Sequence, residues 1–316
     1  MNPDGTLTPV QDSPFSISGH LAVSGDFLLV ANNQSVTSYR IDPSSGSLTP
    51  AHTAAAPGSA ARIWDAIAAD SKNVYVGGQL ASGTNVIYAF SMDANGSLAA
   101  ISGSPFFFSA CGCAPATSIG VQNSMLFAST DTLGFGPLAV YNIQDGALAN
   151  LQVLNTDGVS NLAVHPSGRV VYGVLNQIEG FTIGATGMLS QGSTTSDDPS
   201  GVFEAVAIDP TGRFLAAIDL RFAGASFDSS RIAVFSINPV TSSLTALGAP
   251  VSTGEPGGNS ITFDPSGRFV LITHGGIAPS PNDVMVFSFD PASGTVMKIQ
   301  SAPTGATPGS VVIATL

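Results

Sequence analysis

Asp65, Glu204, Asp219 and His274 are the side chains best suited to chemistry in this sequence, and each recurs at a fixed place in a repeated pattern. Counting five residues back from the turn residue that matches Asp209 gives Gly19, Asp65, Thr117, Ser160, Glu204 and Asn259. The apolar run that follows each turn ends at Asn32, Gln79, Asp131, Asn176, Asp219 and His274. Two carboxylates facing each other in a low-dielectric site repel, which raises one pKa and allows acid–base work. Asp65 and Glu204 would also give hard oxygen ligands to a divalent cation such as calcium, with Asn259, Thr117 and water completing the set. His274 is the histidine placed to act as a general base. Trp64, Arg62, Arg221, Asn259, Thr117 and Ser160 lie beside these groups and are the expected substrate contacts. The plain reading of the same positions is a polar ring bonded to water, with His274 packing a loop.

These residues need elements to hold them, and the stretch Phe203 to Leu247 shows which. Short apolar runs, Ala205–Ile208, Phe214–Ile218 and Arg231–Ile237, alternate with the turn signals Asp209-Pro210-Thr211-Gly212 and Asn238-Pro239. Runs of this length bounded by Gly, Pro, Asn and Asp are strands. The pattern returns from His20, Trp64, Thr117, Ser160 and Asn259, a spacing of about 40–50 residues, which is that of propeller blades. The expected fold is an all-β propeller of four-stranded antiparallel blades in one domain, seven-bladed, with six blades as the alternative. In such a ring the first strand of each blade lines the channel. The starts of first strands and the ends of second strands then share one mouth, where Asp65 and Glu204 are three blades apart. Residues 1–15 resemble the end of a blade and residues 307–316 a first strand, so the two termini are expected to share the last blade.

Composition narrows the partners. Charged residues are 9% of the 316 and the formal net charge is −12, a surface that repels phosphate backbones and speaks against nucleic acid. No stretch reaches the ~20 apolar residues of a membrane span. The start reads MNPDGTLTPV, without the basic and apolar regions of a signal peptide. The Lys-poor, Ser/Thr-rich composition suits an exported monomer whose leader has been removed. Cys111 and Cys113, in SACGCAP, form either a small-ring disulfide or two loop thiols, and lack the further ligands of a zinc site. His165 fills the turn position of Asp209 and Asp264 and is expected to be a turn residue on the face away from the mouth. No G-x-S-x-G, H-E-x-x-H or phosphate loop is present.

The HPSGR, DPTGR and DPSGR turns, each followed by an aromatic or β-branched strand, and the endings FSINP and YRIDPSSGSLT resemble the YVTN/lactonase family of seven-bladed propellers. The resemblance covers essentially the whole chain. It implies a relation to phosphogluconolactonase-like and carboxymuconate-lactonising enzymes, whose mouths carry a His, an Arg and a Glu. Thr117 and Ser160 stand at the positions implied for His, Glu204 at that implied for Arg, and Asp219 one residue before the acidic place. Two functions follow. One is a lactonase-like hydrolase acting on a small neutral or cationic lactone or ester. The other is a non-catalytic exported propeller that binds a peptide, a glycan or a protein partner.

Overall fold

The computed structural model describes residues 1–58, 62–108, 114–130, 136–156, 159–196, 201–223, 226–275, 282–304 and 308–315; within strands it leaves out the side chains of residues 62–65, 175, 223, 226 and 227. Among the described residues the strands form six antiparallel sheets, each a path of four consecutive strands; the second and fifth sheets carry a further short strand that pairs with their third. We number the sheets in chain order and letter their strands a to d. The chain divides into two compact units. One spans Val10–Ser160 with Ala185–Met188 and Ala314–Leu316 and holds sheets 1 to 3; the other spans Met1–Pro9, Asn161–Gly184 and Leu189–Ile313 and holds sheets 4 to 6.

Side-chain alternation builds each core. In the second unit, Leu215, Ala217, Ala233 and Phe235 of sheet 5 pack on Tyr172, Val174 and Ile178 of sheet 4. The intervening residues Ile218, Leu220, Ile232 and Val234 pack on Val270, Ile272, Met285 and Phe287 of sheet 6. A sheet buried on both faces needs apolar residues at nearly every position, and strand b of sheet 6, Phe269–His274, is buried throughout. In the first unit the same arrangement joins sheet 1 to sheet 2 and sheet 2 to sheet 3.

The turns explain the repeated motif. Asp209 accepts hydrogen bonds from the backbone N–H of Thr211 at 3.0 Å and of Phe214 at 2.7 Å. Asp264 does the same for Ser266, Arg268 and Phe269. Gly212 and Gly267 hold φ of 74° and 67°, a left-handed conformation that glycine adopts without a Cβ penalty. His165 is indeed a turn residue. Its Nδ1 accepts from the Ser167 N–H at 3.1 Å, so Nε2 carries the proton and donates to the Gly212 carbonyl at 2.7 Å. The imidazole therefore ties the turn of sheet 4 to that of sheet 5. His165→Ala is expected to cost about 1–2 kcal/mol, because the Gly212 carbonyl loses a buried donor. Urea denaturation measures it, and a loss near zero would mean that the bond is not formed in solution.

Residues 1–15 and 308–315 form no strand. Parts of both nevertheless lie on sheet 6. The Leu7 N–H donates to Gln300 Oε1 at 2.6 Å, and Arg268 donates to the Pro3 carbonyl at 3.1 Å. The Val311 N–H donates to Ser260 Oγ at 3.4 Å. Leu7, Val311 and Ile313 pack together on Phe269, Leu271 and Val286.

Candidate functional site

Two bulges set the mouth positions of sheets 5 and 6. Strand a of sheet 5, Gly201–Ile208, skips register between Phe203 and Ala205, so Glu204 is the extra residue of a bulge against strand b, Phe214–Ala223. Strand a of sheet 6, Gly258–Phe263, skips between Gly258 and Ser260, which does the same to Asn259. A bulge bends its strand and re-aims the extra side chain. Glu204 is exposed and Asn259 half-buried. Asn259 Nδ2 donates to the carbonyls of Gly275 at 3.3 Å and Pro308 at 3.2 Å.

Asp219 lies inside strand b of sheet 5 rather than at its end, because the strand runs on to Ala223, and it is fully buried. It stands directly opposite Arg231 in strand c, Ser226–Ile237, so both side chains share a pleat. Arg231 Nε donates to Asp219 Oδ2 at 2.7 Å, and Arg221 Nε lies 3.4 Å from the same oxygen. One carboxylate is thus held between two guanidinium groups whose side chains are 24% and 12% exposed.

His274 is fully buried on the opposite flank of sheet 5, above the apolar layer shared with sheet 6. Its Nε2 lies 3.1 Å from Ser230 Oγ, and its Nδ1 lies 3.5 Å from Asp283 Oδ1. Asp283 faces His274 in register and accepts a hydrogen bond from Ser301. Ser230 Oγ donates to the Glu255 carbonyl at 2.6 Å and lies 2.9 Å from Thr253 Oγ1. Lys298 Nζ donates to the Thr253 carbonyl at 3.3 Å. Burial pushes the His274 pKa down, Asp283 partly offsets this, and Lys298 adds to the depression. The imidazole is therefore neutral at neutral pH.

The structure thus places Glu204, Asp219, Arg221, Asn259 and His274 at one end of two adjacent sheets in the same unit. Thr117 and Ser160 belong to the other unit, where Thr117 Oγ1 donates to the Ser160 carbonyl at 3.3 Å. Arg62, Trp64 and Asp65 lie in strand a of sheet 2, Arg62–Ala69, but their side chains are outside the described residues, as are Cys111, Cys113 and Asp131. Among the described residues no group of three or more His, Cys, Asp or Glu side chains is arranged to hold a metal ion. Sequence reasoning missed Arg231, Ser230 and Asp283. The alternation of strand c was the signal available for Arg231, since a charged residue at the start of an otherwise apolar run calls for a partner.

The family model "Lactonase, 7-bladed beta-propeller" matches residues 118–313. The chain belongs to that family. Its sheets are therefore propeller blades; six form among the described residues, against the seven of the family model. Membership supports a lactonase-like hydrolase. Comparison with curated proteins gives no match. Among solved structures, the chain is similar to the periplasmic gluconolactonase PpgL of Pseudomonas aeruginosa, with 21% identity, a TM-score of 0.70, and 91% of this chain and 86% of that chain covered. A protein from Lactobacillus plantarum is 19% identical with a TM-score of 0.72, covering 97% of this chain and 89% of that one. A chain of a mitotic checkpoint complex is 16% identical with a TM-score of 0.63, covering 98% and 88%. At these identities the likeness concerns the fold. No helix among the described residues is long and apolar enough to cross a membrane.

Proposed function

We propose that this propeller is a lactonase-like hydrolase of small neutral or cationic lactones or esters, with Glu204 as its general base. The observation that carries the reading is the exposed Glu204 carboxylate, turned out of a bulge at the mouth end of its blade. Glu204 takes a proton from water, the hydroxide adds to the acyl carbon, and the C–O bond of the ring breaks. The ring oxygen then recovers the proton, giving a hydroxy acid. Arg221, within the same blade end, faces the oxygen that gains charge. Asp219 holds Arg221 and Arg231 in place. Glu204 and Asp219 against Arg221 and Arg231 sum to zero charge, which favours an uncharged substrate over an anionic one. A divalent cation such as calcium held by the Glu204 carboxylate belongs to this reading. Asn259, in the same unit as Glu204, is the remaining proposed contact. The periplasmic relative favours export.

Hydrolysis of a panel of uncharged lactones, with and without chelator, tests the proposal. At least one member should open faster than in buffer; rates equal to buffer throughout would end it. A thermal midpoint that does not move with calcium or EDTA would remove the cation, since a ligand bound to the folded state alone raises apparent stability. The burial of Asp219 and His274 favours the rival reading, a non-catalytic propeller that binds a peptide or glycan. That reading predicts a silent panel and a ligand on an array screen.

A further inference from the structure

A second set of reactive groups stands on the face of sheet 5 opposite Asp219. Ser230, His274 and Asp283 lie in the order nucleophile, base, orienting carboxylate, with separations of 3.1 and 3.5 Å. Asp283 is in turn held by Ser301. This is the arrangement that activates a serine for acyl transfer, and it is often loose in an unliganded protein. The buried imidazole is neutral, the state a general base requires. Its floor is apolar, formed by Ile218, Ile232, Ile272 and Met285.

What separates this set from a working one is a strap. Thr253 to Gly257 crosses from sheet 5 to sheet 6 directly over Ser230. The Glu255 carbonyl takes the Ser230 hydroxyl proton at 2.6 Å, so that proton is withheld from His274 Nε2. His274 Nδ1 and Asp283 Oδ1, both buried, accordingly face each other without a hydrogen bond. Gly254 and Gly257 hold φ of 86° and 77°, and a Cβ at Gly254 would meet nothing within 4 Å. Glycines at both ends of a short segment give it positions that absorb a backbone change.

We propose that Ser230, His274 and Asp283 form a strap-covered acyl-transfer site that takes uncharged esters and lactones through a covalent acyl-serine. When the strap lifts, the Ser230 hydroxyl turns to His274 Nε2 and the ring proton moves to Nδ1, closing on Asp283. Ser230 Oγ attacks the acyl carbon and its proton passes to Nε2. The C–O bond to the leaving alcohol breaks, and the alcohol oxygen takes that proton. Water repeats the sequence on the acyl-serine, releasing the acid and restoring Ser230. The site does not use Glu204.

A tagged fluorophosphonate tests this without any lactone, so its outcome is independent of the function proposed above. Wild-type protein should be labelled, and peptide mass analysis should place the label on Ser230. Ser230→Ala should abolish that label, and His274→Gln should slow labelling by about a hundredfold, the usual weight of a general base. Thr253→Ala removes one hydroxyl from the strap and should label several-fold faster. No label on either wild type or Thr253→Ala, or a label on any other residue, overturns the proposal. Locating the label in the wild type needs no variant to fold.

Discussion

Asp219→Ala is expected to destabilise the fold by about 3–5 kcal/mol, the cost of removing one partner of a buried ion pair. The carboxylate is fully buried, and Arg231 and Arg221 both converge on its Oδ2. With alanine there, two guanidinium groups remain near each other without the buried carboxylate on which both converge. Asp219→Asn keeps the shape and one acceptor but not the charge, so it should lose less. Urea denaturation of the three proteins reads both steps, provided the dependence on denaturant is unchanged. A loss for Asp219→Ala below about 1 kcal/mol is what an exposed ion pair would give, and it would mean that solvent reaches these arginines.

Glu204→Gln is expected to lower kcat/KM by about a hundredfold or more on whichever lactone the wild type opens best. The amide fills the same volume and cannot take the proton from water. Stability should change by less than about 1 kcal/mol, because Glu204 is exposed and the contacts of an exposed carboxylate weigh little. That contrast separates the two positions: Asp219 should change stability strongly, and Glu204 the rate. An unchanged rate in Glu204→Gln would leave the exposed carboxylate without a catalytic part.

The turns were readable from sequence because their chemistry is local. Asp209 and Asp264 bond to N–H groups within five residues, so DPTGR and DPSGR carry the whole instruction. The blades followed from the turns and from apolar runs of strand length. Glu204 and Asn259 were found by counting from those turns, but that they are bulged residues was not visible. A bulge shifts the alternation by one place, and no residue type marks it. The partners of Asp219 and His274 were less accessible still. Asp283 faces His274 across residues 275–282, and a register shift between Arg221 and Phe222 separates the Asp219–Arg231 pair from the end of its hairpin, so neither register is written in the residue types. Ser230 meets His274 across two separate sheets, a contact that no spacing along the chain encodes.

The scarcity of lysine gives the strap a built-in reporter. Lys72 and Lys298 are the only lysines in the chain. Both are exposed, Lys72 beside a turn of sheet 2, but the ammonium of Lys298 also donates to the Thr253 carbonyl. An amine-reactive dye therefore has two side chains to choose between, and its yield at Lys298 relative to Lys72 registers how firmly that carbonyl is held.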